Sequence, residues 1–171
     1  MSVQTIWHQA ATPAAASPFT GTLGTAFSLS QAAPLTGIWY YSPAAAVSLA
    51  TACAIYDVTS TTIVAGTLNS SPSWSGAAGS GWVRCAYPGS TTLNASQNYV
   101  VAAYLNAQVA FSGSFSWPVL SGVIDAPADQ NVAGGSIAYP SGAGGAFSHF
   151  IDVELTVPDP PPVLYQMRMM P

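Results

Sequence analysis

Two histidines, six carboxylates and two cysteines are the main groups able to exchange protons or hold a metal near neutral pH. Nucleophilic catalysis needs a base beside a hydroxyl or thiol, with a third group to orient that base. His8 stands in a strand-like stretch near the start and His149 adjoins the last strand pattern. Neither belongs to an H-E-x-x-H or H-x-H motif, neither neighbours a cysteine, and no G-x-S-x-G elbow occurs. Both read as hydrogen-bonding residues at a surface or interface. Asp152 and Glu154, two apart, share one face of a strand. Glycosidases place such carboxylates on opposing walls of a cleft, so this pair reads as a solvated face or as a partner for Arg84. Asp125 and Asp129, in Asp125-Ala-Pro-Ala-Asp-Gln-Asn131, are the calcium candidates. A loop there would offer carboxylates and carbonyls to a hard cation, without a complete calcium-loop pattern. No catalytic residue, cofactor or metal is assigned.

Cys53 and Cys85 each fall in a strand-like run with the parity of an inward residue. They read either as two buried thiols in a reducing compartment or as one disulfide, and not as a redox motif, because no C-x-x-C spacing exists. Of the five tryptophans, Trp39 and Trp82 sit in strand patterns and read as packed residues. Trp74 stands in the Ser/Pro/Gly stretch Asn69-Ser-Ser-Pro-Ser-Trp-Ser-Gly76. It reads as an interface anchor or as a platform for a glycan ring.

The elements that would carry these groups are strands. Alternation or short apolar runs mark Gly24–Ser30, Leu35–Tyr41, Val47–Asp57, Ile63–Leu68, Gly81–Tyr87, Asn98–Leu105, Val109–Phe115 and Phe147–Val157, with Ser/Gly/Pro/Asn turns between. Asn98–Leu105 is apolar at both parities, which predicts a strand covered on both faces. No helical period persists over ten residues. The pattern predicts an all-β antiparallel sandwich, jelly-roll-like, over residues 19–157. Residues 1–18 read as an extended N-terminal lead-in, since Pro13 and Pro18 interrupt an Ala/Ser stretch. Residues 158–171 read as an assembly tail: the run from Pro158 to Pro162 favours an extended segment, and Leu164, Tyr165, Met167 and Met170 follow it. That apolar stretch is too short for a core of its own, so it is expected to dock on the sandwich or a neighbour.

Charge is scarce. Charged residues make up 5% of the 171, lysine is absent, and Arg84 and Arg168 are the cations. Ordinary domains are about a quarter charged. With a net charge of −4 and no cationic stripe, the chain is a poor partner for nucleic acid or for anionic membranes. No apolar run approaches the roughly 18 residues of a spanning helix, and the first residues lack a signal-peptide pattern.

Six segments in order carry a family likeness: Phe19-Thr-Gly-Thr-Leu-Gly-Thr-Ala-Phe27, Leu35-Thr-Gly-Ile-Trp-Tyr-Tyr41, Val47-Ser-Leu49, Gly81-Trp82, Asn98-Tyr-Val-Val-Ala-Ala-Tyr104 and Phe150-Ile-Asp-Val153. Together they resemble the bacterial domain-of-unknown-function 4082 family, from Phe19 to Thr156. The resemblance implies a β-sandwich of a kind found in secreted, often sugar-active actinobacterial proteins, with relatives among actinobacterial phage tail proteins. The lysine-free, alanine-rich composition and the Pro/Met-rich tail set the chain apart from the secreted modules. The expectation is a non-enzymatic virion protein of an actinobacterial tailed phage, a minor tail protein made in the host cytoplasm. It would assemble with itself and other virion proteins through its charge-poor surface, Trp74 and the tail residues Leu164, Tyr165, Met167 and Met170. The alternatives are a capsid-surface decoration protein and a carbohydrate-binding module that meets host-surface glycans through Trp74.

Overall fold

The computed structural model describes residues 1–7, 11–145 and 147–158; His8 and the tail residues Leu164, Tyr165, Met167 and Met170 lie outside them. The described residues form two antiparallel sheets packed face to face, an all-β sandwich without a helix. One sheet runs in the order β1 (Ser2–Thr5), β11 (Ile151–Val157), β3 (Ala33–Ser42), β5 (Gly81–Ala86), with the short β6 (Thr92–Leu93) on β3. The other runs β10 (Gly142–Ala143), β9 (Ile124–Ala133), β2 (Ala15–Leu29), β7 (Asn98–Phe111), β4 (Ala52–Asp57), with β8 (Val119–Ser121) on β9. From β2 through β5 each successive strand changes sheet, the crossover habit of a jelly roll.

Inward residues at alternate positions build the main core: Leu23 and Phe27 of β2, Ile38 and Tyr40 of β3, Ile55 of β4, Val83 of β5, Tyr99 and Val101 of β7, Ile151 and Val153 of β11. A second, smaller cluster explains the doubly apolar β7. Val100 and Ala102 point to the outer face, where they meet Ala26, Ala54 and Tyr56 under Ile63, Ile137 and Tyr139. One end of the main core is aromatic: Phe150 lies against Trp7, Trp82 and Phe115.

Several elements differ from the sequence expectation. The lead-in is part of the sandwich: β1 pairs with β11, and β2 begins at Ala15 and runs through Pro18. Proline is tolerated there because β9 joins β2 only from Gly21, which leaves the flank of β2 beside Pro18 without a strand to accept an N–H. The runs Asn98–Leu105 and Val109–Phe115 fall largely in one long strand, β7. Ile63–Leu68 forms no strand, although Ile63 makes a single bridge to Tyr56. The Asp125–Asn131 segment is strand β9 and not a loop.

Candidate functional site

The few charged groups of the described body are mostly drawn inward. Asp152 and Glu154 do not form a solvated face; they are 0% and 7% exposed. Asp152 accepts the backbone N–H groups of Ile6 (2.7 Å) and Trp7 (3.0 Å), fastening the segment after β1 onto β11. Burial pushes its carboxyl up to about 7, against the pull of the backbone N–H groups of Trp7, Ile6 and Val153. Glu154 is the partner of Arg84, with Arg84 Nε at 2.9 Å and Nη2 at 2.5 Å, and it also accepts from Trp39 Nε1 (2.9 Å) and Thr36 Oγ1 (2.9 Å). Burial alone would raise this carboxyl, yet those donors and the Arg84 charge hold it below the usual range. Gly37 leaves the space: a Cβ there would stand 3.0 Å from Arg84 Nε. The knot ties β3, β5 and β11 together.

A second pair lies at the other sheet. His149 Nδ1 contacts Asp129 Oδ2, and the His149 backbone N–H donates to Asp129 Oδ1 at 3.1 Å. Asp129 is buried, which raises its carboxyl despite the histidine beside it. Gly144 permits this approach, because a Cβ on it would fall 2.8 Å from Asp129 Cβ. With Nδ1 occupied, the imidazole is fixed along the wall of a depression of about 270 Å³ that Ser17, Phe19, Phe111, Asn131 and Phe147 also line. Phe111 and Phe147 meet edge to face at 6.0 Å between centroids. Three aromatic walls with an oriented imidazole and an amide match the face and edge of a sugar ring. Among the described hydrogen bonds none joins a hydroxyl or thiol to the imidazole.

These partners place Asp129 away from a calcium loop. Asp125 and Asp129 stand four residues apart along β9, and Asp129 is committed to His149. Among the described residues no three His, Cys, Asp or Glu side chains converge as a metal site would require.

Trp74 is anchored instead of standing free in its loop. Its indole N–H donates to the Ala50 carbonyl at 2.7 Å, and its ring packs edge-on against Tyr40 at 4.7 Å. The half-buried ring lines a groove of about 510 Å³ with Leu49, Pro72 and the hydroxyl-bearing Ser48, Thr51, Ser70 and Ser71. Sequence reasoning singled out Trp74 and His149. It missed Phe19, Phe111 and Asn131, which the long β2–β7 pairing and β9 bring beside His149 with no local motif to mark them.

One further feature concerns sheet edges. Beyond Gly21 in β2 and Tyr104 in β7, neither β9 nor β4 continues, so 15–20 and 106–111 pair chiefly with each other as a ribbon, with one backbone bond from Gly134 N–H to the Thr20 carbonyl (3.3 Å) and with Val109 in the main core. Ala15, Ala16, Pro18 and Thr20 are exposed on it, and no residue of either segment is charged.

The fold thus defines an antiparallel two-sheet sandwich with a nearly uncharged exterior. No family model, curated protein or solved structure matches the chain.

Proposed function

We propose that this chain is a structural virion protein of an actinobacterial tailed phage, a minor tail protein that works by assembly. The observation that carries the reading is the withdrawal of charge from the surface. Of the charged residues described, Arg84 and Glu154 neutralise each other, Asp129 and Asp152 are buried, and Asp57 and Asp125 remain toward solvent. Interface centres are depleted of such groups, whereas free soluble surfaces carry many. The β2–β7 extension leaves most of both its edges without a strand partner, the arrangement that free monomers avoid with lysines or prolines. Here Pro18 is the sole such device on the ribbon.

Sedimentation velocity of the full chain tests this reading. The unaltered protein sediments as an oligomer. Ala16→Lys with Thr20→Lys places two like charges on the exposed ribbon face and yields a folded monomer; an unchanged sedimentation coefficient contradicts assembly through the ribbon. Removing residues 158–171 measures the share of the tail in the same experiment.

A second reading, glycan binding at the particle surface, is favoured by the aromatic depression beside His149 and by the Trp74 groove. Neutral sugars need aromatic faces and oriented hydrogen bonds more than charge, and such a role is compatible with a place at a tail tip.

A further inference from the structure

We propose that Cys53 and Cys85 form a built disulfide site, a covalent staple between the two sheets that closes when the folded chain meets a small-molecule disulfide of the glutathione class. Cys53 belongs to β4, the last strand of one sheet, and Cys85 to β5, the last strand of the other. The thiols are free and buried, 0% and 2% exposed, and both are held by one residue, Asn69, where the β4–β5 connection closes the side of the sandwich.

Their surroundings are more elaborate than two apolar fillers require. Asn69 exchanges both backbone hydrogen bonds with Cys53, at 2.8 and 2.9 Å, while its side-chain amide donates to Cys85 Sγ at 3.3 Å. One residue thus sets the backbone of the first cysteine and orients the sulfur of the second. Tyr87 Oη donates to the Thr67 carbonyl at 2.6 Å and lies 3.4 Å from Cys53 Sγ. The Tyr87 hydroxyl thus touches both the Thr67 carbonyl and the Cys53 thiol. Cys85 Sγ accepts from Asn69 and also faces the Ala86 carbonyl at 3.9 Å. The two thiols differ in acidity. The neighbouring Cys53 thiol holds Cys85 down at about 7 against its burial, with help from Asn69 and the Arg84 charge, while Cys85 and burial push Cys53 up.

The order of events follows. The Cys85 thiolate attacks one sulfur of the small disulfide; the S–S bond breaks, a mixed disulfide forms on Cys85, and one small thiolate leaves and takes up a proton. Cys53 then attacks Cys85 Sγ, its proton passing to the second departing thiolate. Two protein thiols are oxidised and one small disulfide is reduced to two thiols. Access runs under the loop carrying Trp74. That loop holds β5 through Ser75 N–H to Arg84 O and Arg84 N–H to Ser75 Oγ, both 2.9 Å, together with the Trp74–Cys85 bridge. Opening this short attachment uncovers Cys85 without parting β4 from β7. The proposal stands on sandwich geometry and holds whatever particle the chain enters.

The test is incubation of the full chain with oxidised glutathione under native conditions, followed by intact mass, thiol counting after denaturation and peptide mapping. The expected product has lost two hydrogens and both thiols, retains no glutathione, yields one peptide pair joining Cys53 to Cys85, and melts higher until reductant is added. Cys53→Ser, or Cys53→Ala if the serine variant does not fold, retains one glutathionyl group on Cys85. Persistence of both thiols in the native chain while the urea-unfolded chain oxidises overturns the proposal. So does a glutathionyl group that stays on the unaltered protein, or a link between two chains.

Discussion

Glu154→Ala lowers the stability of the sandwich by about 3–5 kcal/mol, the usual loss when one member of a buried ion pair is removed. The alanine leaves the Arg84 guanidinium, with 29% of its side chain exposed, without its counter-charge and with the Thr36 carbonyl as its remaining acceptor. It also strips the acceptor from Trp39 Nε1 and from the Thr36 hydroxyl. These donors come from β3 and β5, so the deletion acts on three neighbouring strands at once. Arg84→Met with Glu154→Leu, which removes both charges while keeping bulk, recovers most of the loss. Urea titration checks this: the single variant shifts the midpoint down with an unchanged slope, and the double variant returns toward the unaltered protein. A single-variant loss below about 1 kcal/mol would place the pair among ordinary surface ion pairs.

The second large effect is a stability that falls as pH rises through the weakly acidic range. Asp152 titrates at about 7 in the fold against 3.8 for an unperturbed aspartate. Between those values the folded chain keeps a proton that the unfolded chain has released, so unfolding releases a proton and rising pH favours it. The contribution of Asp152 is complete below about pH 4 and is lost as pH rises toward about 7, with a slope approaching 1.4 kcal/mol per unit. Asp129, also raised by burial, adds in the same direction. Glu154 and Asp57 are lowered, Glu154 because its donors outweigh burial and Asp57 by hydrogen bonds from Ser60, and their contributions are lost as pH falls through the acid range. The optimum therefore lies near about pH 4–5. Asp152→Asn removes the larger part of the slope, because the amide does not titrate. It also weakens the β1 attachment, since Ile6 and Trp7 donate to different carboxylate oxygens and one of those positions becomes an NH2 donor. Thermal or urea midpoints from pH 4 to 8 check both statements; a midpoint of the unaltered chain that climbs across this range contradicts them.

The strands were legible wherever side chains alternate. Ile151, Val153, Leu155 and Val157 point inward as their spacing predicts. What the intervening polar residues meet was not legible. Asp152 and Glu154 have the pattern of a solvent face; the alternative reading, a partner for Arg84, holds for Glu154, whereas the N-terminal segment that covers Asp152 left no signal near it. Pro13 and Pro18 disguised the first half of β2, and Asp125, Pro127 and Asp129 gave β9 the composition of a loop. The Asp129–His149 pair joins residues twenty apart and becomes visible only when β9 and the segment before β11 are placed. Trp74 carried a local signal, its position in a polar loop, but not the Ala50 and Tyr40 contacts that make it rigid.

The central claim is the proposed membership of a virus particle, and immunogold labelling, with antibody against this chain, of gradient-purified particles from cells that produce it tests that proposal most directly. The account predicts label on the tail. Label confined to the head contradicts the minor tail assignment and makes the chain a capsid-surface protein. Absence of label from intact and disrupted particles alike contradicts the virion reading and leaves the proposed glycan binding, at the depression beside His149 or the groove at Trp74, as the function to pursue.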